Sequence, residues 1–399
     1  MQNDSYVTKT TINKVSFWKN NAPLLGQLDM ELTERCNNNC LHCCINLPTD
    51  DSAAKKKELS SNEIKRILKE AVSIGCMSVR FTGGEPLLRE DFEELYIFAR
   101  KLGLKVLLFT NATLITPYLA ELFSRIPPLE KIETTVYGMK KSSYEAITRV
   151  DGSFEAAWRG INLLLDYKIP FVVKGVLLPS NKDEIEEFEA WAATIPWMDE
   201  PPSYSMFFDL RCRRNGNKNE LIKELRLSPE EGLKVLSRKK DKYIKEMKEF
   251  CSKFMRPSGN RLFSCGSGHG GCVDAYGYFQ PCLPLRCPDT IYDLKKGSLK
   301  NALTNFFPKL REIKTSNLDY INRCAKCFLK GLCEQCPAKS YMEHGTLDTP
   351  VEYLCDVAHT QARFLGLLKE NEKAWEVGEW KDRIRLFTNR KVLKNRRMQ

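Results

Sequence analysis

Two dense groups of cysteines constrain this chain more than any other feature. Of its 16 cysteines, four lie between Cys36 and Cys44, nine lie between Cys265 and Cys355, and only three stand alone. Disulfides would be expected to crosslink loops throughout a small secreted chain. This chain has 399 residues, and its N-terminus lacks the apolar segment of a secretory signal. Clustered cysteines in a large chain instead indicate metal centres. The sequence therefore predicts a cytoplasmic protein with two metal-binding regions.

The composition is that of an ordinary globular protein with a local excess of positive charge. No apolar run approaches the roughly 18 residues that a membrane-spanning helix needs. The net charge is +11, and Lys381–Gln399 carries eight basic residues and one acidic residue. We interpret this end as a solvated basic tail, with docking of an acidic partner as the alternative. A nucleic-acid enzyme would be expected to spread its basic residues over a cleft, so the sequence disfavours nucleic-acid and membrane partners.

Extended apolar segments alternate with helical patterns along the first half of the chain. The predicted strands are Gly26–Thr33, Met77–Thr82, Leu104–Thr110, Lys131–Tyr137, Phe171–Leu178 and Tyr204–Leu210. The predicted helices between them include Glu90–Leu102, Pro117–Arg125, Phe154–Tyr167 and Asp183–Ala193, after a first helix that a Ser60–Glu63 capping box opens. This alternation is typical of a parallel sheet with right-handed crossovers. Six units without a seventh and eighth predict an α/β fold, a partial (β/α)6 barrel of the TIM type.

The residues with unusual chemistry follow the predicted strands. In such barrels the reacting groups lie on loops at the C-terminal ends of the strands. We therefore expect one mouth of the barrel to gather Cys36, Cys40 and Cys43 after the first strand, Gly83, Gly84, Glu85 and Pro86 after the second, Thr110 and Asn111 after the third, Tyr137 and Gly138 after the fourth, and Arg211 after the sixth.

Five regions follow from these patterns. They are an N-terminal extension (1–25), the barrel (26–212), a bridging helical segment (213–262), a cysteine-rich domain (263–360) and a C-terminal helix with a basic tail (361–399). Within the bridge, Ser228 and Glu231 form a second capping box around Pro229. A last amphipathic helix is predicted over Val351–Lys369.

The first cysteine group has the spacing Cys36-x3-Cys40-x2-Cys43. Thiolates at this spacing can wrap one face of a cubane iron–sulfur cluster, which leaves the fourth iron with an open position. Cys44 is adjacent to Cys43, so its side chain should point away. A zinc site completed by His42 is the alternative, although structural zinc prefers four protein ligands.

This motif, together with Gly83-Gly84-Glu85-Pro86 at the end of the second strand, resembles the signature of radical S-adenosylmethionine enzymes. The resemblance implies that S-adenosyl-L-methionine chelates the open iron and is cleaved to a 5′-deoxyadenosyl radical that abstracts a substrate hydrogen. Glycines without Cβ atoms would let the backbone approach the ligand's amino group, and Glu85 would accept from its ammonium. Weaker candidates for ribose or carboxylate contacts are Thr110, Asn111, Thr135 and Lys174. Arg149 is interpreted as a surface residue, with a carboxylate clamp as the alternative.

The second cysteine group resembles the SPASM domain that follows the barrel in many of these enzymes. The resemblance implies two auxiliary [4Fe–4S] clusters, and therefore three clusters in all. One would be held by Cys265, Cys272, Cys282 and Cys336, and the other by Cys324, Cys327, Cys333 and Cys355. The chain departs from the family pattern in having two residues, and not three, between Cys333 and Cys336. A pair of structural zinc sites is the alternative.

The same resemblance favours a peptide or protein substrate, modified by crosslinking, thioether formation, epimerisation or side-chain oxidation. Leu283 stands where the sulfatase-maturating branch has an aspartate, which disfavours that activity. The short N-terminal extension predicts that any leader recognition would need the barrel surface or a separate protein. A small molecule such as a tetrapyrrole side chain is the enzymatic alternative, and a non-catalytic iron–sulfur electron carrier is the alternative from another class. The expected electron donor is flavodoxin or ferredoxin.

Overall fold

The computed structural model describes residues 18–19, 22–23, 25–43, 45, 47–206, 216–265 and 270–389. Its strands are β1 (Trp18–Lys19), β2 (Ala22–Pro23), β3 (Gln27–Thr33), β4 (Ser78–Gly83), β5 (Lys105–Thr110), β6 (Ile132–Val136), β7 (Phe171–Val176), β8 (Tyr204–Ser205), β9 (Gly271–Val273), β10 (Tyr278–Gln280) and β11 (Tyr292–Asp293). The strands β3 to β8 pair in parallel in chain order, which confirms the predicted partial barrel. The predicted sixth strand is described only at Tyr204–Ser205, because residues 207–215 lie outside the described ranges.

Helices follow the strands as the sequence predicted. Those of the barrel are α1 (Ser52–Lys57), α2 (Ser61–Ser73), α3 (Phe92–Lys101), α4 (Pro117–Arg125), α5 (Lys141–Thr148), α6 (Ser153–Asp166) and α7 (Ile185–Ala192). The capping box of α2 is confirmed, since Ser60 accepts from the Glu63 amide and Glu63 accepts from the Ser60 amide. The helices cover one face of the sheet, where Leu28, Met30 and Phe81 are fully buried in the main core.

The cysteine-rich region continues the sheet of the barrel. Strand β9 pairs in parallel with β3, and β10 and β11 extend the sheet antiparallel beyond it. The remaining helices are α8 (Gly216–Glu224), α9 (Pro229–Leu236), α10 (Lys240–Phe254), α11 (Leu299–Asn301), α12 (Phe307–Arg311), α13 (Leu318–Asn322), α14 (Lys330–Cys333), α15 (Pro337–His344), α16 (Glu352–Phe364) and α17 (Trp380–Asn389). Hence one cysteine of the second group, Cys272 on β9, lies directly beside the first barrel strand.

The interpretation of the C-terminal basic segment as a solvated tail can be compared with the structure only up to Asn389, because residues 390–399 lie outside the described ranges. Lys381 and Arg385 are exposed, as expected, but Ile384 and Phe387 of α17 are buried in a second core together with residues of α10, α14 and α16. The predicted last helix is also shorter, ending at Phe364 and not at Lys369. Basic residues dominate the composition of this segment, and they conceal a short apolar stripe at helical spacing.

Phe387→Ala is expected to lower the free energy of unfolding by about 3 kcal/mol, because it empties a buried ring position. The matched control is Leu386→Ala on the same helix, whose side chain is 63% exposed and should change stability little. Urea unfolding of the two variants checks the difference. Equal stability of both variants would mean that α17 does not belong to the core.

Candidate active site

The first cysteine group lies on the loop that follows β3. Backbone hydrogen bonds fasten this loop on two sides: the Cys36 amide donates to the Leu47 carbonyl (2.8 Å), and the Asn39 amide donates to the Thr148 carbonyl (2.9 Å) at the end of α5. The Leu41 amide donates to Ile147 in the same way. The barrel therefore fixes the loop before any ligand binds.

Arg149 completes this attachment from the surface, where the residue is exposed as we expected. Its backbone is left-handed (φ 53°), and its side chain donates to the backbone carbonyl (2.9 Å) and side-chain oxygen (2.8 Å) of Asn39. The residue thus holds the cysteine loop and does not project into solvent as a free cation. Sequence alone gave no signal for this contact, because 110 positions separate the two residues.

The thiols of this loop are shielded from water and lie close together, so that their thiolate forms would repel one another. Burial, with a smaller contribution from the nearby Cys43, raises the pKa of Cys40 to about 12. Burial likewise raises the pKa of Cys36 well above its ordinary value, with smaller contributions from Glu85, Cys43 and Cys40. Tyr137, whose ring lies 5.7 Å from that of His42, hydrogen-bonds to Cys40. Soft thiol ligands close enough to raise one another's pKa fit an iron–sulfur cluster, whose iron would compensate the thiolate charge.

The segment Gly83-Gly84-Glu85-Pro86 packs directly on the cysteine loop. The Gly84 amide donates to the Thr33 carbonyl (2.8 Å), and the Glu85 amide donates to the Arg35 carbonyl (2.9 Å). A Cβ atom added to Gly84 would lie 2.2 Å from the Arg35 carbonyl oxygen. Glycine is therefore required for this close approach of two backbones.

The Glu85 carboxylate joins the ends of β4 and β5. It is fully buried, and it accepts from the Thr110 hydroxyl (2.8 Å), the Asn111 amide (2.8 Å) and the Leu87 amide (3.1 Å). Both oxygens are thus used within the protein, so Glu85 is not the accessible ammonium acceptor that we expected. Burial raises its pKa to about 7, although these hydrogen bonds act in the opposite direction.

Glu85→Gln is expected to lower the free energy of unfolding by about 1–3 kcal/mol, because the amide group cannot accept one of the two backbone N–H groups. The elevated pKa of Glu85 means that the folded state holds a proton that the unfolded state releases between pH 4.5 and about 7. The wild type should therefore lose stability relative to the variant as pH rises through this window. Urea unfolding of both proteins at pH 5 and pH 7.5 measures this difference in the free energy of unfolding. A stability advantage of the wild type that grows between pH 5 and pH 7.5 would contradict the prediction.

Thr110 and Asn111 support the cysteine loop and are themselves buried. The Asn111 side-chain amide donates to the side-chain oxygen of Asn37 (2.9 Å) and lies 3.8 Å from the Cys36 sulfur. Its own oxygen accepts from the amide (3.0 Å) and the hydroxyl of Thr113. These bonds occupy the polar atoms that we expected to contact ribose or carboxylate. Asn111 thus helps to orient Cys36, and Thr110 holds the Glu85 carboxylate.

Thr135 lies on the sheet face opposite the helices, in register with Lys174 of the next strand. On this inner face the Lys174 ammonium lies 3.8 Å from the centroid of the Phe109 ring, and the Arg80 guanidinium lies 4.8 Å from it. Glu133 pairs with Lys174, and Asp29 pairs with Arg80. The inner face is therefore polar and carries an aromatic ring between two cations.

The cysteines of the C-terminal region fall into two groups in space. Burial raises the pKa of Cys282 to about 12, and Cys336 and Cys265 lie close enough to contribute to this rise. Cys272 is buried on β9, in register with Asp29. The second group comprises Cys324, Cys327, Cys333 and Cys355, which line a cavity of about 30 Å³. The assignment of all eight cysteines to two ligand sets stays a prediction.

Sequence reasoning missed the contacts that surround these cysteines. Arg286, four residues after Cys282, forms a buried ion pair with Glu31 of β3 (2.6 Å), and the Tyr276 hydroxyl donates to Glu34 (2.8 Å). These bonds join the cysteine-rich region to the barrel. Within the ranges that the structure describes, no three Cys, His, Asp or Glu side chains converge on the position of a single metal ion.

Residues 30–192 match the family model of the Radical SAM superfamily. Residues 30–192 therefore form a Radical SAM domain. Over 344 residues it is 26% identical to the AdoMet-dependent heme synthase of Methanosarcina barkeri, an alignment that covers 82% of this chain and 94% of that protein.

Two solved structures share the fold of this radical SAM enzyme. The structure of anSMEcpe with bound AdoMet covers 85% of this chain and 96% of its own, with a TM-score of 0.58 and 16% identity. Streptococcus suis SuiB bound to S-adenosylmethionine covers 84% of this chain and 78% of its own, with a TM-score of 0.61 and 16% identity. The likeness spans the barrel and the cysteine-rich region, and so the fold is a partial barrel followed by a SPASM-type domain.

Proposed function

We propose that this radical SAM enzyme abstracts hydrogen from a small carboxylated molecule. The best example is a tetrapyrrole that is modified on one of its side chains. The observation that carries this proposal is the alignment with a heme synthase over nearly the whole length of both chains. A peptide substrate, which the sequence favoured, is supported by the shared fold of anSMEcpe and SuiB at 16% identity. The small-molecule alternative therefore has the stronger support.

The inner face of the barrel has chemistry suited to such a substrate. Arg80 and Lys174 lie against the Phe109 ring, with side chains that are 25% and 26% exposed. Carboxylates pair with guanidinium and ammonium groups. A molecule with acidic side chains would match these two cations.

The protein's part in the reaction is to position the cofactors and to shield them. Cys36, Cys40 and Cys43 would hold the cluster, and S-adenosylmethionine bound to it would supply the 5′-deoxyadenosyl radical. The Gly83-Gly84 backbone would line the position of the amino-acid end of the nucleotide. Asn111 and Arg149 keep the cysteine loop in place through Asn37 and Asn39. We further propose that the two C-terminal cysteine groups hold auxiliary [4Fe–4S] clusters.

The remaining partners follow from this chemistry. Reduction of the first cluster requires a low-potential electron donor, such as flavodoxin or ferredoxin, and a cytoplasmic location would keep the clusters reduced. Among the described residues, none of the helices combines the length and apolar character needed to cross a bilayer. A separate leader-binding protein is required only if the substrate is a peptide.

The test is an anaerobic incubation of the reconstituted enzyme with S-adenosylmethionine, dithionite and iron coproporphyrin III. We expect 5′-deoxyadenosine and a porphyrin with an altered propionate side chain by mass spectrometry. The control is a Cys36/Cys40/Cys43→Ala variant, which should give neither product. Formation of 5′-deoxyadenosine with an unaltered porphyrin, together with modification of a co-expressed peptide, would replace the proposal with the peptide function. Absence of 5′-deoxyadenosine would favour an electron carrier.

A further inference from the structure

His359 lies on α16, one turn after Cys355, and is almost completely buried, with 3% of its surface exposed. Its Nε2 atom lies 3.2 Å from the backbone amide of Ala374, which donates to it. An amide N–H can only donate, so Nε2 must be the unprotonated ring nitrogen and Nδ1 carries the hydrogen. The fold therefore fixes the tautomer of this histidine.

The Nδ1 hydrogen is directed at a cysteine of the second C-terminal group. Nδ1 lies 2.8 Å from the Cys355 carbonyl oxygen and 3.5 Å from the Cys355 sulfur. The ring of Trp375 packs against the imidazole at a centroid distance of 5.4 Å. With Ala374 on one side and Trp375 on another, the imidazole cannot turn away from Cys355.

A second hydrogen-bond donor, which is positively charged, faces the same sulfur. Arg323 Nη2 lies 4.0 Å from the Cys355 sulfur, and Glu352 fixes the guanidinium through two bonds of 2.8 Å. Its Nε atom is buried and has no hydrogen-bond partner within the described part of the chain. His359 and Arg323 both line the cavity that the four cysteines surround.

We propose that His359 is a positioning residue that raises the reduction potential of the cluster held by Cys324, Cys327, Cys333 and Cys355, with Arg323 acting in the same direction. The inference rests on the auxiliary clusters of the proposed function. Hydrogen bonds to ligand sulfurs set the potentials of iron–sulfur centres. A one-electron reduction adds negative charge to the cluster and its sulfurs, and a fixed N–H donor stabilises that charge. The centre thus accepts an electron from another reduced iron–sulfur centre of the chain, which is oxidised by one electron.

The test compares His359→Phe with His359→Asn in the full-length chain in which Cys36, Cys40 and Cys43 are alanine, so that only the auxiliary centres contribute signals. Potentiometric titration followed by electron paramagnetic resonance gives their midpoint potentials, and iron analysis gives their occupancy. We expect His359→Phe to lower the midpoint potential of one centre. At a fixed applied potential, the ratio of its reduced to its oxidised form should fall about tenfold, which corresponds to about 59 mV for a one-electron couple. The other centre should be unchanged. His359→Asn keeps a side-chain N–H donor and should restore most of the potential.

The exposed histidine of the same region provides the control, since His344→Phe should leave both potentials unaltered. Full iron content with unchanged potentials in His359→Phe would overturn the inference, and so would equal shifts of both centres. If His359→Phe fails to retain iron, Arg323→Gln is tested in its place. Its midpoint potential should fall in the same way, and full iron content with unchanged potentials would again overturn the inference. A parent protein that assembles no centre on these four cysteines would overturn the proposed clusters as well, which separates that failure from a failure of His359 alone.

Discussion

Cys40→Ala abolishes formation of 5′-deoxyadenosine and removes about four of the roughly twelve iron atoms expected for three cubane clusters. Cys40 is the most buried of the three cysteines after β3, and a loop fastened at Leu47 and Thr148 fixes its position. Removal of one of three thiolates leaves two ligands, which cannot retain a cubane with an open iron. Measurements of iron content and of 5′-deoxyadenosine in the presence of dithionite check both effects.

Cys76→Ala is the matched control for this experiment. Cys76 is equally buried, but its sulfur contacts the Ser78 carbonyl at the start of β4, away from the cysteine loop. The variant should keep full iron content and activity apart from a modest loss of stability. Retention of iron and activity in Cys40→Ala would remove Cys40 from the ligand set and, with it, the proposed first cluster.

Gly84→Ala is expected to eliminate binding of S-adenosylmethionine and to lower the free energy of unfolding by about 3 kcal/mol. The added Cβ would lie 2.2 Å from the Arg35 carbonyl oxygen and 2.8 Å from that of Glu34. These are backbone atoms, which cannot move aside as the end of a flexible side chain can. The segment after β4 would have to separate from the cysteine loop, and the two parts of the proposed nucleotide site would no longer face each other.

Equilibrium binding of S-adenosylmethionine to the reconstituted variant, with urea unfolding, measures both consequences. Gly26→Ala is the control, because an added Cβ meets no atom within 4 Å there. Normal binding by Gly84→Ala would show that the contact between the Gly83-Gly84 segment and the cysteine loop is not needed for the site.

Local sequence patterns were sufficient to predict those strands and helix ends that interactions between neighbouring residues determine. The alternation of apolar residues predicted β3 to β7 to within a few residues, and the capping boxes at Ser60 and Ser228 are both present. The predicted roles of Glu85, Thr110 and Asn111 differ because their side chains meet across strand ends. Their polar atoms bond to one another and to the cysteine loop, and no spacing in the sequence reveals which of them remain accessible.

The sequence by itself determined the barrel and the spacing of the cysteines, because hydrophobic periodicity and metal-ligand spacing are properties of neighbouring residues. Its resemblance to a known family implied the radical chemistry. Only the tertiary structure decided that β9 joins the barrel sheet, that Arg149 holds the cysteine loop and that His359 presents Nδ1–H to Cys355. These contacts join residues that only the folding of the chain brings close together. The Ala374 amide, for example, fixes the tautomer of a histidine 15 positions earlier.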